Sequence, residues 1–262
     1  MSVEQPASFF VRQGAALLPT PLTRGPWNDA HQHGGPPAAL LTSALERAEP
    51  EPAAFRLVRV TIEFLRPVAL EPCAVTTEVV RAGKQVQRLS ASLAAGGVEV
   101  ARALALRIRR AALPLEDPRS PPPLPPPESL QPFVFPFFRN PVAYHRAVDV
   151  RIARGTWGSG PVDAWMRNLI PLIAGEPTSP LERVMSLVDA ESGVCPPLDP
   201  MVYGFPNPDL TVYFAREPRG EWVGLQIESQ ARSDGTGLAQ SALSDVDGVF
   251  GRALQSLVIA AR

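Results

Sequence analysis

The chain has 262 residues, of which 45% are hydrophobic, and its formal net charge at pH 7 is -1. This length suits one large domain or two small ones, and the apolar content suffices for a buried core. The near-neutral charge and the absence of a dense Lys/Arg run argue against nucleic acid and anionic membrane surfaces as main partners.

The first predicted elements are an extended arm and a helix. Residues 8–24 form a short stretch interrupted by prolines, which suits the edge of a sheet. Pro36 and Pro37 fit the first turn of a helix, and Pro50 and Pro52 end it. An apolar stripe at helical spacing predicts that one side of this helix is buried. Its members are Leu40, Leu41, Ala44, Leu45 and Ala48.

From Phe55 the hydrophobic period changes to two. Apolar and polar residues alternate from Val58 to Phe64, and three further runs follow, separated by turn residues near 67–72, 82–83 and 96–97. This pattern predicts four antiparallel strands in a meander. A helix followed by a sheet that curls over its apolar stripe is an α+β arrangement.

The second half of the chain shows the same order of signals. A strand-like segment starts near Val142, and a helix follows Ser179. Ser179 and Glu182 are predicted to form a capping box around Pro180, and Gly193 can close the far end. Four strands are then predicted, at 209–217, 222–232, 237–244 and 251–260.

An internal repeat organises these elements. The stretch from Leu57 to Ala112 recurs without a gap as the stretch from Asn207 to Arg262, at a constant offset of 150. A repeat of this length indicates a duplicated structural unit. We predict an N-terminal unit at 1–110, a Pro-rich linker at 111–135 and a C-terminal unit at 136–262. The two sheets should pair edge to edge into one layer with both helices on one side.

The two copies differ at positions where chemistry could occur. The second copy carries an acid and two amides where the first copy carries a base and two apolar residues. The pairs are Arg59 with Asp209, Val80 with Gln230, and Ala105 with Gln255. We therefore expect the second copy to carry the catalytic residues and the first copy to have a structural role.

Six segments resemble, in order, the acyl-CoA thioesterase II family. They are HGGPPAALL, VTIEFLRPV, TTEVVRAGKQVQRLSASLAAGGVEVARA, NPDLTVYF, IESQARS and GRALQSLVI. The resemblance implies a double hotdog fold, in which two tandem helix-plus-antiparallel-sheet units form one continuous sheet. It also implies hydrolysis of acyl-CoA thioesters to a free carboxylic acid and CoA by an oriented water, without a cofactor. A homodimer or larger homo-oligomer is expected on the same grounds.

The resemblance also implies catalytic positions. Asp209 and Gln255 match the family's catalytic Asp and Gln, and Gln230 occupies the position of its hydroxyl residue. A carboxylate can align or deprotonate a water, and an amide can fix its orientation. Strand alternation places Gln230 and Ser229 on opposite faces, so only one of them can face the site. The family pattern favours Gln230.

Gly34 and Gly35 are the expected substrate-binding residues. They lie at the start of the first helix, where free backbone N–H groups can bind the thioester oxygen and glycine allows close approach. Pro36 and Pro37 have no N–H and cannot contribute. Polar residues of one hotdog usually face the helix start of the other. We therefore expect Asp209 opposite these glycines, in one site per chain made across the halves.

Two other functions stay open under the same fold. A hotdog hydratase needs an Asp and a His acting together, for which Asp29 and His33 are weak candidates. A double hotdog protein that binds acyl groups without turnover would explain the departure at Gln230, although Asp209 and Gln255 argue against it. A serine hydrolase is excluded, because no Gly-x-Ser-x-Gly follows the His33 motif.

Metal, disulfide and membrane signals are weak. His31 and His33 lie near Asp29, but no third imidazole lies nearby, so no metal site is expected. Cys73 and Cys195 have no motif spacing and are interpreted as ordinary thiols. The chain has neither a basic start with an apolar leader nor a run of about 18 apolar residues. We therefore expect a cytoplasmic protein that does not associate with membranes.

Overall fold

The computed structural model of the chain describes residues 7–49, 51–116 and 124–262. Part of the predicted linker, 117–123, lies outside these ranges. The α-helices are α1 (Gly35–Glu46), α2 (Pro180–Val188) and α3 (Glu191–Val194). The strands are β1 (Phe10–Gln13), β2 (Ala16–Pro19), β3 (Phe55–Phe64), β4 (Cys73–Ala82), β5 (Val86–Ala95), β6 (Val98–Arg109), β7 (Val148–Arg154), β8 (Val162–Asn168), β9 (Tyr203–Gly204), β10 (Asp209–Phe214), β11 (Val223–Ala231), β12 (Thr236–Asp245), β13 (Gly248–Val258) and β14 (Ala260–Ala261).

One large antiparallel sheet contains all the described strands except β9 and β14, which pair with each other. Its order is β1-β2-β4-β5-β6-β3-β10-β13-β12-β11-β8-β7. Each half of the chain supplies half of the sheet, and both halves follow the same order from edge to centre. The predicted continuous sheet of a double hotdog fold is confirmed.

A pseudo-twofold axis passes through the centre of this sheet. β3 and β10 pair there with Thr61 opposite Thr211, and the two threonine hydroxyls are 3.2 Å apart. These threonines are equivalent in the repeat. The strand limits follow the same offset, since β5 and β12 begin and end at equivalent residues.

α1 and α2 lie on the same side of the sheet and pack against each other. α1 is buried beyond its predicted stripe, and even Thr42 and Ser43 are enclosed, because sheet and α2 cover it from two sides. The Thr42 hydroxyl donates a hydrogen bond to the Ala38 carbonyl at 2.9 Å, so this buried polar group has a partner. None of the described helices is long and apolar enough to span a membrane.

The predicted capping box of α2 is present. Ser179 Oγ accepts from the Glu182 N–H at 3.0 Å, and Glu182 Oε2 accepts from the Ser179 N–H at 2.8 Å. α2 ends earlier than predicted, with Asp189 as its C-cap, and Gly193 lies inside α3. This early end turns the Asp189 side chain toward the start of α1.

Candidate active site

A cavity of about 360 Å³ opens where the start of α1 meets the end of α2. Segments of both halves line it, including the strand ends at 64–68 and 206–208. Most of its wall is apolar, which is typical of small-molecule sites. Six aromatic side chains contribute: Trp27, Phe64, Phe135, Phe137, Phe138 and Tyr144. Phe135 falls within the predicted linker, so that part of the linker forms the wall of the cavity.

The polar end of the cavity is formed by His33, Asp189 and Asn207. His33 Nδ1 lies 3.0 Å from Asp189 Oδ2, and Asn207 Nδ2 donates to Asp189 Oδ1 at 2.8 Å. Only 3% of the Asp189 side chain is exposed. Its carboxylate is therefore held by polar partners in a wall that is otherwise apolar.

Tyr144 fixes the orientation of the His33 ring. The two rings stack at a centroid distance of 3.8 Å and an angle of 4°, and the Tyr144 hydroxyl donates to the Ser186 carbonyl at 2.8 Å. Burial, with a contribution from the charge of Asp189, raises the pKa of Tyr144 well above its ordinary value. Tyr144 is therefore a neutral phenol that supports His33.

Gly34 and Gly35 lie where the start of α1 approaches the end of α2. A Cβ at Gly34 would lie 2.7 and 2.8 Å from the two carboxylate oxygens of Asp189, and a Cβ at Gly35 would overlap the Ser186 carbonyl oxygen. Only glycine fits at either position. The cavity thus lies between the two halves, and the carboxylate that faces the glycines in it belongs to Asp189 instead of Asp209.

The backbone of the two glycines supplies the hydrogen-bond donors. The Gly35 N–H donates to His33 Nδ1 at 3.1 Å. The Gly34 N–H has no acceptor within the part of the chain that the structure describes. Pro36 and Pro37 add no donors. The positive end of the α1 dipole therefore offers the Gly34 N–H to a negatively charged oxygen, whereas the Gly35 N–H is held by His33 Nδ1.

Asp209 and Gln255 lie on neighbouring strands but face opposite sides of the sheet. Gln255 is on the helix side and is 1% exposed. Asp209 pairs with Glu63 on the open side, and its Oδ1 accepts from the Ser256 N–H at 2.8 Å. The structure does not bring the two predicted side chains together.

Gln230 also lies on the open side. Its side chain is exposed, and its Oε1 accepts from Arg232 Nη2 at 3.1 Å. The register of β11, β12 and β13 aligns Ser229, Ala239 and Gln255 in one row. The predicted placement of Gln230 beside Gln255 is therefore corrected, since alternation along the strand allows only Ser229 to share that face.

Gln255 instead belongs to a buried polar cluster with Glu191 and Ser241. Ser241 Oγ donates to Glu191 Oε2 at 2.5 Å. The Gln255 amide lies beside this carboxyl, but its two polar atoms and Glu191 Oε1 have no well-aligned partner among the described residues. Burial raises the pKa of Glu191 to about 7, although hydrogen bonding opposes it. Glu191 carries no motif, and sequence reasoning did not single it out.

A second, smaller cleft lies at the position that the repeat relates to the first, between the end of α1 and the start of α2. Here Ser179 Oγ donates to Glu46 Oε2 at 2.6 Å. Burial raises the pKa of Glu46 to about 7. The Ser179 side chain caps this helix start, whereas no side chain caps α1 at Gly34. Of these two clefts, the first is the one whose N-cap residue supplies no side-chain cap.

The remaining candidate ligands do not converge. Among the described residues, no group of three or more His, Cys, Asp or Glu side chains could hold a metal ion. Cys73 and Cys195 are buried and free. Burial lowers the pKa of His145 to about 4, so that this imidazole is neutral at physiological pH.

The continuous sheet and the cleft between its two helices define a double hotdog protein. Residues 23–108 match the model of the acyl-CoA thioesterase N-terminal domain, and residues 111–259 match that of the acyl-CoA thioesterase C-terminal domain. The chain belongs to the acyl-CoA thioesterase family, and its activity is that of a thioesterase.

Solved structures share this fold at low sequence identity. A protein from Novosphingobium aromaticivorans DSM 12444 that is assigned as a thioesterase has a TM-score of 0.74 at 19% identity, over 95% of this chain and 98% of that one. A hot dog protein of unknown function from Alicyclobacillus acidocaldarius has a TM-score of 0.72 at 20% identity, over 98% and 97%. The acyl-CoA thioesterase II TesB2 from Mycobacterium marinum has a TM-score of 0.63 at 18% identity, over 87% and 89%. No curated protein is significantly similar to the chain.

Proposed function

We propose that this protein hydrolyses acyl-CoA thioesters to a free carboxylic acid and CoA in the cavity between α1 and α2, by direct attack of an oriented water. The acyl group would lie against the aromatic wall, including Trp27, Phe137 and Phe138, because burial of its apolar surface is favourable there. The thioester carbonyl would lie at the start of α1.

The observation that carries this proposal is the meeting of backbone donors and a carboxylate at one end of an apolar cavity. Negative charge develops on the thioester oxygen as water adds, and the N–H groups of Gly34 and Gly35 are placed to stabilise it. A carboxylate beside the same point can accept a proton from the attacking water. This combination supports hydrolysis without a covalent acyl-enzyme.

Asp209 and Gln255 stay in the proposal as the carboxylate and amide that the resemblance assigns to the water. Asn207 connects the Asp189 carboxylate to the backbone of Asp209, because its Nδ2 donates to both Asp189 Oδ1 and the Asp209 backbone carbonyl. The strand start that carries Asp209 is therefore linked to the cavity. Comparing Asp189→Asn with Asp209→Asn separates the two assignments.

A thiol-release assay over acyl-CoA esters of increasing chain length tests the function. We expect turnover with at least one ester, at rates that fall once the acyl chain exceeds the cavity. Binding of acyl-CoA without thiol release from any ester would contradict hydrolysis and support an acyl-binding protein. The chain-length profile also reports the depth of the cavity.

A second candidate function is hydration of a 2-enoyl-CoA. The contact between His33 and Asp189 supplies the Asp and His pair that a hydratase needs, which Asp29, exposed at the surface, does not. Hydration removes the absorbance of the conjugated enoyl thioester without releasing thiol, whereas hydrolysis releases thiol. Both signals can be followed in one sample.

We also propose that the chain forms homo-oligomers through the open side of the sheet. Leu104 and Leu254 flank the central threonine pair on that side, and both are exposed, as is Tyr213. Exposed apolar side chains grouped about a symmetry axis favour association with another copy. Sedimentation analysis of the intact chain measures the oligomer directly.

A further inference from the structure

The open side of the sheet, away from α1 and α2, has a central row of residues that follows the strand register. Leu104, Thr61, Thr211 and Leu254 lie opposite one another in succession across β6, β3, β10 and β13. Both leucines are exposed. Residues two apart on a strand point to the same side of a sheet. The register therefore also defines one row on each side of the central row, each about 7 Å away.

One of these two flanking rows is acidic at the centre of the sheet. Glu63 and Asp209 lie opposite each other on β3 and β10. Arg102 is the next residue in this row, but its guanidinium pairs with Glu99 at 2.6 Å. The Asp209 carboxylate accepts only the Ser256 N–H from the described residues. Two carboxylates therefore lie side by side without an ion-pair partner in the described part of the chain.

The other flanking row is basic. Arg88, Leu106, Arg59, Tyr213 and Arg252 follow one another across β5, β6, β3, β10 and β13. No ion pair joins these three arginines to a carboxylate of residues 7–49, 51–116 or 124–262. Arg59 Nε is also buried without a hydrogen-bond acceptor, which is unfavourable for a guanidinium. This row therefore presents positive charges that the described chain does not neutralise.

The two rows differ in charge because the repeat has diverged at Arg59 and Asp209, which are equivalent positions. The pseudo-twofold axis through the centre of the sheet exchanges the two rows, so a perfect repeat would give both rows the same charge. The open side is instead polarised along the strands, with an acidic row, an apolar middle and a basic row.

We infer that this side binds a second copy of the chain in one orientation, related to the first by a twofold axis that runs along the central row. This inference deepens the proposed assembly through the open side and rests on it. Rotation about that axis lays the two central rows on each other and places the acidic row of each copy on the basic row of the other. Glu63 then faces the partner's Arg59, and Asp209 faces the partner's Tyr213 with Arg252 beside it.

The same charges disfavour the other occupants of this surface. A twofold axis along the strands would place Glu63 on the partner's Asp209, and like charges in an interface are costly. A polyanion would fit the basic row alone but would be repelled by the acidic row. Facing sheets commonly cross at about 30°. Glu63 and Arg59 lie on β3, next to the centre of the sheet, so this angle changes their alignment little.

The first test exchanges the charges of one predicted pair and measures the Kd of the dimer by sedimentation equilibrium. Glu63→Arg and Arg59→Glu should each raise Kd at least about tenfold, because each creates two like-charge contacts in a twofold interface. The double variant Glu63→Arg/Arg59→Glu restores both pairs with reversed polarity and should return Kd to within about threefold of the wild type. Arg183→Glu, on α2 at the other side of the sheet, is the matched control and should keep the wild-type Kd.

Recovery in the double variant would not come from a contact inside one chain. Glu63 and Arg59 are four residues apart on β3, a separation of about 13 Å along the strand. No ion pair joins them in the described structure. The recovery therefore reports contacts between copies.

The second test reports the direction of the axis by cross-linking with a short bis-maleimide. An axis along the central row places Leu104 near the partner's Leu104, so Leu104→Cys alone should give a covalent dimer. An axis along the strands places Leu104 near the partner's Leu254 instead, so a covalent dimer would require a mixture with Leu254→Cys. Cys73 and Cys195 are buried, so the wild type should give little background.

The outcomes are distinguishable. A monomeric wild type would reject the proposed assembly and this inference with it, whereas thiol release tests hydrolysis separately. A wild-type dimer whose Kd is unchanged by both single variants, or is not recovered in the double variant, overturns the inference alone. If thermal melting shows that a charge-reversal variant does not fold, the cross-linking decides. A covalent dimer that forms only in the mixture with Leu254→Cys would overturn the orientation.

Discussion

The buried carboxyl of Glu191 predicts a pH-dependent loss of stability that one substitution should remove. Glu191 is enclosed between α3 and the sheet, and burial raises its pKa from the ordinary 4.5 to about 7. Between these values the folded chain holds a proton that the unfolded chain has lost. Stability from this group is therefore fully present below pH 4.5 and is lost as the pH rises to about 7.

The expected size follows from the width of that interval. Each pH unit is worth about 1.4 kcal/mol, so the full loss in the free energy of unfolding is about 3 kcal/mol. Solvent screening does not reduce it, because the carboxyl is fully buried. In a chain of this length the loss corresponds to a decrease in Tm on the order of 10 °C. The glutamine in Glu191→Gln can still accept a hydrogen bond from the Ser241 hydroxyl but cannot ionise.

The assay is denaturant unfolding of the wild type and Glu191→Gln from about pH 4.5 to 8, at one protein concentration because assembly affects stability. Subtracting the free energy of unfolding of one chain from that of the other cancels the contributions of other titrating groups. These include Glu46, whose pKa is also about 7. We expect Glu191→Gln to gain about 3 kcal/mol on the wild type across this range. Glu78→Gln, at an exposed position, should show a flat difference. A flat difference for Glu191→Gln as well would refute the buried-acid argument.

Four further substitutions test the geometry. Gly34→Ala places a Cβ against the Asp189 carboxylate, so the rate of thiol release should fall by a factor of about 10². Gly35→Ala places a Cβ against the backbone of α2 and should lower the free energy of unfolding by about 2–3 kcal/mol. Gln230→Leu should hydrolyse acyl-CoA at the wild-type rate, since that side chain is exposed on the open side; a marked loss would return Gln230 to the site. Leu104→Glu should dissociate the oligomer in sedimentation analysis, and an unchanged mass would exclude that face as the interface.

The fold could be predicted because its signals are local or pairwise in the sequence. A period of two marks strands, a period of 3.6 marks helices, and the constant offset relates the two units. That offset already makes Thr61 and Thr211 equivalent, and the structure places them opposite each other at the centre of the sheet. The repeat thus related two residues that are far apart in the sequence and adjacent in the structure.

The site could be predicted only in part, because it depends on contacts between distant segments. Gly34 and Gly35 could be predicted as candidates from their position at a helix start, which is a local signal. The approach of Asp189 to His33 arises from packing of α2 on α1, and no local sequence signal predicts it. The alternation of buried and exposed residues along the strands could have indicated that the two predicted side chains face opposite sides of the sheet. Gln255 lies between apolar neighbours on its strand face, so it belongs to the buried side, whereas Asp209 precedes a buried leucine and belongs to the other.

The two helix starts show why a duplicated fold can hold one site. A helix start can have its free N–H groups capped by a side chain or can present them to a ligand, but the same groups cannot do both. Ser179 and Glu182 cap α2, an arrangement worth about 1 kcal/mol, and the cleft there is small. Gly34 leaves α1 without a side-chain cap. Burial of α1 between the sheet and α2 offsets that loss, so the Gly34 N–H can remain without an acceptor beside the cavity.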